Sequence, residues 1–317
     1  MPPYRHVPVM VKEIVTCLNC LPGKIYVDGT LGGGGHAQAI LEAIAPDGLL
    51  LGIDRDPDAV DHCKTFLDTY SPNIQIFHDD FTHLPQILSR LHTGKVDGIL
   101  LDLGISLHQL VGSGRGFSFM RDEPLDMRMN PEEGQKAGEL VNKLSEKRLT
   151  EIIAQYGEES WAPRISRAIV KARRRKKIET SLQLAQIVEQ VIPVRYRRGR
   201  IHPATRTFQA LRITVNQELA ALQVFLNEAV NLLNPGGRLC ILTFHSLEDR
   251  MVKERFKALA RACTCPPELP QCVCARRPQI TLLTKRPLRP TPAEIQANPM
   301  ARSAKLRAAE RLREEGS

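Results

Sequence analysis

The sequence lacks the segments that would carry a chain into or across a membrane. No stretch of its 317 residues approaches the run of about 18 apolar residues that a membrane-spanning helix needs. Residues 1–6 contain no apolar core of the kind found in secretory signals. We therefore expect a cytoplasmic protein without a membrane partner.

The phosphate loop Gly-x-x-x-x-Gly-Lys-Ser/Thr is also missing. That loop wraps nucleotide phosphates in backbone N–H groups and places a lysine beside them. Its absence argues against a nucleoside triphosphatase of that type.

Disulfide bonds are not expected, although the chain has eight cysteines, because a long chain without a secretory signal is kept reduced. Four of the cysteines form two Cys-x-Cys pairs and could bind a structural zinc ion: Cys263, Cys265, Cys272 and Cys274. Standard zinc sites use longer spacers. Redox pairing and unliganded loop cysteines remain alternatives, and the sequence assigns no metal.

Positive charge is confined to the middle of the chain. Residues 108–212 contain 21 lysines and arginines against 12 acidic residues, whereas the rest contains 23 of each, so the whole net charge of +9 belongs to this segment. Within 164–177, eight of fourteen residues are basic, and an apolar stripe continues through Ile165 and Ile169. One helix face can pack while the other meets phosphates. A solvated surface is the alternative, but the confinement favours a nucleic-acid interface.

A glycine-rich turn at residues 28–39 follows a short apolar run, Ile25 to Val27, and precedes a helical pattern. Gly32-x-Gly34-x-x-Ala37 fits the fingerprint in which glycines permit a tight turn and let a ligand approach a helix N-terminus. The segment therefore predicts strand, turn and helix around a bound cofactor.

The next predicted strand, 49–53, ends at Asp54, which lies 19 residues after Gly35. A carboxylate at this distance from the glycines binds ribose hydroxyls in such folds. The ligand is therefore expected to be a nicotinamide cofactor or S-adenosylmethionine (SAM). Asp28, directly before the glycines, favours SAM because its ammonium group is a partner for a carboxylate.

Two more strands are predicted at 74–77 and 96–101, and a fifth at 239–244. Ligands bind beyond the carboxyl ends of parallel strands. An Asp at a strand end is commonly a helix cap, but five in series indicate a site. These five are Asp28, Asp54, Asp79, Asp80 and Asp102.

This pattern predicts an α/β fold with a mainly parallel, Rossmann-like sheet and an all-helical inserted domain. We expect the α/β domain at 1–107 and 213–317, and the helical insertion that recognises RNA at 108–212. The Pro-rich segment 286–299 and the basic segment 301–313 are expected to form a tail that packs late or folds on RNA.

Several motifs resemble the bacterial RsmH (MraW) family of ribosomal RNA cytosine-N4 methyltransferases, over nearly the whole length. They are Asp-Gly-Thr-Leu-Gly-Gly-Gly-Gly-His at 28–36, Ile-Asp-Arg-Asp at 53–56, Leu-Asp-Leu-Gly at 101–104, Gly-Phe-Ser-Phe at 116–119, Leu-Asp-Met-Arg-Met at 125–129, His-Pro-Ala-Thr-Arg-Thr-Phe-Gln-Ala at 202–210 and Phe-His-Ser-Leu-Glu-Asp-Arg at 244–250.

The resemblance implies a class I SAM-dependent methyltransferase fold and methyl transfer from SAM to N4 of one cytidine in the decoding centre of 16S rRNA, within the small ribosomal subunit. It also implies a set of SAM-binding residues: Gly34, Gly35, His36, Asp54, Phe81, Asp102 and Gln109.

The chemistry gives Asp102 a candidate catalytic role. The N4 lone pair of cytosine is delocalised into the ring, and an acceptor on the N–H would localise it toward the methyl group. Asp102 could instead serve SAM alone. DNA amino-methyltransferases usually carry a Pro-Pro-aromatic sequence after this acid, whereas Leu103 and Gly104 follow here, so we expect a different substrate geometry. No DNA partner is expected.

Arg206, Phe208 and His245 are expected to contact the RNA substrate. His245 could equally be a buried structural histidine. A flipped base needs a stacking partner, for which Phe208, Tyr196 and Phe117 are candidates, although each could equally belong to the core.

Two rival functions fit part of the sequence. A nicotinamide oxidoreductase would use the glycine fingerprint but leaves the basic insertion unexplained. A non-catalytic RNA-binding or ribosome-assembly factor would use the charge but leaves the acids at the strand ends without a role.

Overall fold

The computed structural model describes residues 8–194, 201–263, 265, 274 and 277–313. It contains two compact units. One is formed by Ile105–Leu219, and the other by the described residues of His6–Gly104 and Ala220–Ser317.

The second unit is built on a seven-stranded sheet in the order β3-β2-β1-β4-β5-β7-β6. The strands are β1 (Ile25–Asp28), β2 (Leu49–Asp54), β3 (Ile74–His78), β4 (Val96–Asp102), β5 (Leu233–Thr243), β6 (Ile280–Leu282) and β7 (Lys305–Arg311). Strands β1 to β5 run parallel to one another, whereas β7 runs antiparallel to both β5 and β6. The predicted mainly parallel, Rossmann-like sheet is confirmed.

Helices accompany the strands and also make up the first unit. In chain order they are α1 (Val11–Leu18), α2 (Gly35–Ile44), α3 (Pro57–Phe66), α4 (Leu84–Arg90), α5 (Leu107–Val111), α6 (Ala137–Lys143), α7 (Glu146–Gly157), α8 (Ala162–Arg173), α9 (Ser181–Val191), α10 (Thr205–Asn216), α11 (Glu218–Glu228), α12 (Ser246–Leu259) and α13 (Pro292–Ala297).

The sheet is covered on both faces, which is why its central strands are apolar without alternation. Successive side chains of a strand point to opposite faces. Leu50 and Leu100 accordingly belong to one apolar cluster, whereas Leu51 and Leu101 belong to another. The core therefore forms two layers with the sheet between them.

Strand β5 begins earlier than the sequence predicts. Leu233 pairs with Val96, and pairing resumes at Arg238 with Gly98, so the strand is irregular between those two positions. Gly236 has a φ of 81°, a left-handed conformation that glycine adopts without steric cost. The Asn-Pro-Gly-Gly segment therefore interrupts the strand pairing, and the preceding helix has already ended at Glu228.

The basic segment was expected to pack late or to fold on RNA; the second alternative is wrong for β7, which packs in the sheet by pairing with β5 and β6. Leu306 and Ala308 are buried in the core, and the Arg307 guanidinium is neutralised by Asp249 at 2.7 Å. The sequence did not predict this strand, because its charged residues are typical of a segment exposed to solvent.

The first unit is helical, and its described residues contain no strand longer than an isolated bridge between Pro124 and Thr180. Its core gathers apolar residues from α6 to α10 and from the segment at 117–129. Asn216 joins that segment to α10, since its side chain accepts from the N–H of Met129 at 2.7 Å and donates to the carbonyl of Met127 at 2.8 Å.

In the described part of the chain, no helix combines the length and the apolar character that crossing a bilayer would require.

Candidate functional site

The glycine turn connects β1 to α2 and is tied to both neighbouring strands. Gly29 donates its N–H to the carbonyl of Leu100, and Leu31 donates to that of Ile53, both at 2.9 Å. Gly34 stands directly before α2 with a φ of 77°, where a side chain would be strained. A Cβ atom added to Gly34 would lie 3.0 Å from the Cys63 sulfur. Glycine is therefore favoured at position 34 both by the left-handed backbone conformation and by the close packing of Cys63.

Gly35, the first residue of α2, is needed for close packing. A Cβ atom at this position would lie 2.7 Å from Cγ of Pro8. The turn therefore holds the α2 N-terminus, with its unsatisfied N–H groups, at the carboxyl edge of the sheet.

Asp28 ends β1 and is only 1% exposed. Its Oδ1 accepts the N–H of Thr30 at 3.1 Å, while its buried Oδ2 has no hydrogen-bond partner among the described residues. Burial raises the pKa of Asp28 to about 7, against the opposing effect of His36. A buried acceptor without a partner is costly to folding, and it is typical of a ligand site.

Asp54 ends β2 and faces the same turn. Its Oδ2 accepts the N–H of Gly32 at 2.7 Å, and its Oδ1 accepts that of Asp56 at 2.8 Å. Burial raises the pKa of Asp54 to about 6, although both backbone N–H groups counteract it. Each carboxylate oxygen has a second lone pair, so hydroxyl donors can still be accepted.

Asp102 ends β4, the strand beside β1, and pairs with the first histidine of α2. Its Oδ2 lies 3.3 Å from Nδ1 of His36, and its buried Oδ1 has no hydrogen-bond partner among the described residues. The other ring nitrogen of His36, Nε2, lies 2.8 Å from the carbonyl of Val9. Burial lowers the pKa of His36, but the Asp102 carboxylate outweighs that effect and the net shift is upward.

Thr30 supports this arrangement and was missed at the sequence level. Its hydroxyl accepts the backbone N–H of Asp102 at 2.6 Å. The turn between β1 and α2 therefore fixes the end of β4 directly. At the sequence level, the position of Thr30 inside the glycine motif was the signal that could have indicated this contact with β4.

Asp79 and Asp80 follow β3 and have local partners instead. Asp80 caps the short helix Phe81–His83 through the N–H of Thr82 at 2.9 Å and forms an ion pair with Arg55. Asp79 lies 2.6 Å from Nδ1 of His83. Burial would raise the pKa of Asp79, but the bond to His83 lowers it overall. The grouping of five equivalent acids is thus corrected to three, Asp28, Asp54 and Asp102.

Phe81 begins the helical turn after β3. Its ring meets that of Phe225 edge to face, with centroids 5.5 Å apart. Its Cβ lies 3.2 Å from the position that a Cβ on Gly29 would occupy. Phe81 therefore lies beside the glycine turn, and a cofactor contact by its ring stays a prediction.

His245 has a structural role at the start of α12. It forms a reciprocal capping arrangement with Glu248, in which Glu248 also accepts the N–H of Phe244 at 3.0 Å. Its Nε2 lies 3.0 Å from Glu248 Oε1, but that contact is not aligned for a hydrogen bond. A substrate contact by His245 stays a prediction.

Gln109, Arg206 and Phe208 belong to the first unit. The side-chain oxygen of Gln109 accepts the N–H of Ser106 at 3.1 Å, closing the cap of α5. Arg206 is exposed and donates to the carbonyl of Glu158 at 3.2 Å. A cofactor or RNA contact by either residue stays a prediction.

Phe208 is 4% exposed and packs edge to face on Phe119, which in turn stacks on His202 at 4.4 Å. Phe208 thus occupies the core, the alternative that the sequence left open, and Phe117 is likewise buried. Stacking of either ring on a flipped base stays a prediction. Tyr196 lies outside the described residues.

The basic segment forms one face of α8 and the residues after it, as predicted. Ile165 and Ile169 are fully buried. Lys171 is exposed on α8, and Arg174, Arg175, Lys176 and Lys177 are exposed directly after the helix; none of the five forms an ion pair with a described acid. We call these five residues the basic face.

Three cysteines lie together in the connection after α12. The sulfur atoms of Cys263, Cys265 and Cys274 are all within 4.8 Å of one another. Cys272, the fourth cysteine of the two pairs, lies outside the described residues.

The family model of the MraW methylase family matches residues 3–312, which is nearly the whole chain. The chain belongs to the MraW methylase family. The motifs that surround Asp28, His36, Asp54 and Asp102 are therefore parts of a methylase, and the seven-stranded sheet is its class I, Rossmann-like fold.

Curated relatives of this MraW methylase match it from end to end. The chain is 51% identical over 310 residues to Ribosomal RNA small subunit methyltransferase H of Desulfosudis oleivorans, covering 98% of this chain and 99% of that one. It is 52% identical over 310 residues to the protein of the same name from Desulforapulum autotrophicum, with the same coverage.

Among solved structures, the MraW methylase is similar to a SAM-dependent O-methyltransferase from Thermotoga maritima. The two share 8% identity with a TM-score of 0.41, over 99% of this chain and 69% of that chain. This likeness is too distant to indicate an activity.

Proposed function

We propose that this MraW methylase transfers a methyl group from SAM to the exocyclic N4 of a specific cytidine in 16S rRNA of the small ribosomal subunit. The observation that carries the proposal is the Asp102 carboxylate, which keeps one buried oxygen without a partner at the carboxyl end of β4. The names of the full-length relatives support a small-subunit rRNA as the substrate. Such a substrate would place the enzyme in the cytoplasm.

The donor set at the sheet edge fits SAM. This cofactor is positively charged at its sulfonium and ammonium groups, and when bound it supplies an activated methyl group. Asp28 Oδ2 is a buried acceptor without a partner, and the Asp102 carboxylate ends the adjacent strand. They would offset that positive charge, and Asp54 would accept ribose hydroxyls. Gly34 and Gly35 would give the cofactor access to the α2 N-terminus, with Phe81 beside the adenine.

His36 positions Asp102 in this proposal. By facing Oδ2 at 3.3 Å, it fixes the carboxylate and leaves Oδ1 as the oxygen that can accept a further donor. That donor would be the N4 amine of cytosine. A hydrogen bond from the amine to Oδ1 localises the nitrogen lone pair, which is the group that must attack the methyl carbon. Positioning of this kind contributes about 7 to 11 kcal/mol in well-oriented reactions.

The basic face supports RNA as the partner. Five exposed cations without acidic neighbours attract phosphates and release bound counterions when RNA docks. A nicotinamide oxidoreductase would leave this face without a purpose, and a non-catalytic RNA-binding protein would leave the unpartnered carboxylate oxygens unexplained.

The test is transfer of a labelled methyl group from SAM to small subunits isolated from cells that lack the modification. The digested rRNA is then analysed by mass spectrometry. We expect the label on a cytidine as an N4-methyl group. Label on another nucleoside, or no transfer to subunits that receive methyl groups from a related enzyme, would contradict the proposal.

A further inference from the structure

A cluster of three thiols lies in the connection between α12 and β6, in the second unit. It contains Cys263 and Cys265, which follow α12, and Cys274, which precedes β6. All three sulfur atoms lie within 4.8 Å of one another. The methyl-transfer proposal makes no use of them.

The sulfur spacing matches the geometry of a tetrahedral metal site. The sulfur atoms of Cys263 and Cys274 are 3.8 Å apart. Two thiolates bound to one zinc ion at about 2.3 Å each, at a tetrahedral angle, lie about 3.8 Å from each other. A disulfide would need about 2.05 Å. The observed contact, in which the Cys274 thiol donates to the Cys263 sulfur, therefore has the spacing that two ligands of one zinc ion require.

A backbone hydrogen bond also supports a metal site at these cysteines. The N–H of Cys265 donates to the sulfur of Cys263 at 3.3 Å. A hydrogen bond to a ligand atom orients that atom toward a shared ion. The one-residue spacer therefore lets Cys265 orient the sulfur of Cys263 as well as supply a sulfur of its own.

We propose that Cys263, Cys265 and Cys274 bind a structural zinc ion that fixes the connection between α12 and β6. Soft thiolates select zinc over magnesium or calcium, and a structural site is completed by a fourth protein donor. The ion would tie the residues that follow α12 to Cys274, which precedes β6. This inference does not depend on the proposed methyl transfer.

The experiment measures zinc in the full-length protein purified under reducing conditions. Elemental analysis is expected to give about one zinc ion per chain, as for a structural site. Replacing zinc with cobalt(II) should give the charge-transfer absorption of a thiolate-bound ion. In Cys263→Ser and Cys274→Ser, zinc content should fall by roughly tenfold or more.

Two variants control the result. Cys17→Ser removes a thiol of α1 and should keep the zinc. Cys274→His replaces a sulfur ligand by an imidazole nitrogen and should also keep it, which separates loss of a ligand from loss of folding. A wild-type protein that retains no zinc after loading and desalting would overturn the proposal. So would a Cys263–Cys274 disulfide in the purified protein, or full zinc content in both serine variants.

Discussion

The Nδ1 atom of His36 lies 3.3 Å from Oδ2 of Asp102, and 66 residues of sequence separate the two. The histidine begins α2 after the glycine turn, and the aspartate ends β4. Because β1 and β4 are neighbours in the sheet, the fold brings them together. This contact orients the carboxylate proposed to receive the cytosine amine.

Replacing His36 by alanine should slow methyl transfer. Without the imidazole, Asp102 is free to rotate, and a misplacement of about 1 Å can cost roughly 100-fold in rate. Single-turnover transfer to unmodified small subunits measures the effect, and His62→Ala, on the outer helix α3, is the control. An unchanged rate in His36→Ala would show that the contact has no part in positioning.

The Gly34→Ala variant should be less stable and should bind SAM more weakly. Its φ of 77° costs a side chain roughly 1 to 2 kcal/mol, and the added Cβ would also contact Cys63 and Phe66. Gly94→Ala is a matched control, because its φ is 71° and nothing lies within 4 Å of the new Cβ. Thermal unfolding and calorimetric titration with SAM would compare the two; equal losses of stability and unchanged SAM affinity would contradict this account.

SAM binding should strengthen as the pH rises from 6 to 8. Burial gives Asp28 a pKa of about 7 in the cofactor-free protein, so its ionised fraction rises about tenfold over this range. Only the ionised form attracts an ammonium group fully. Calorimetry of the wild type and Asp28→Asn should show that the variant loses most of this dependence. Asp61→Asn, which alters an exposed carboxylate, should retain it.

The stability of the cofactor-free protein should change with pH in the opposite direction. Burial raises the pKa of Asp28 to about 7 and that of Asp54 to about 6, above the value of about 3.9 in an unfolded chain. Between these values the folded state binds more protons than the unfolded state, so stability falls as pH rises from about 4 to 7. Denaturant titrations at several pH values should show that the free energy of unfolding falls less steeply with pH in Asp28→Asn than in the wild type. An identical pH dependence would contradict the raised pKa assigned to Asp28.

Reversing charges on the basic face should weaken RNA binding without affecting SAM. The double variant Arg174→Glu/Lys177→Glu removes two cations that meet phosphates in this account, and each lost contact should reduce the salt slope of RNA affinity by about 1. Lys253→Glu/Lys257→Glu makes the same charge change on α12 and is the control. Equal losses of RNA affinity in both variants would indicate a non-specific charge effect.

The sequence was sufficient to predict the parallel strands, the glycine turn and the ends of the strands, because buried parallel strands are short apolar runs with clear limits. The sequence could not show which of the acids at those ends cap helices and which remain available to a ligand. Asp80 and Asp102 both follow strands, but only the folded chain shows that Asp80 caps a helix and pairs with Arg55, whereas Asp102 keeps a buried oxygen without a partner.

Contacts between residues that are far apart in the sequence could not be predicted either. The strand Lys305–Arg311 was predicted as part of a basic tail. Its burial depends on Asp249, which neutralises Arg307 and lies more than 50 residues earlier in the sequence. For Phe208, stacking on a base and a place in the core were equally open alternatives at the sequence level. Its position in a core of helices depends on packing against Phe119.

The most direct test of the central claim is single-turnover methyl transfer by Asp102→Ala to unmodified small subunits, with SAM and RNA affinities measured in parallel. We predict that transfer is lost while RNA affinity stays close to that of the wild type and SAM still binds at saturating concentration. Turnover at the wild-type rate would contradict the role assigned to the unpartnered oxygen of Asp102.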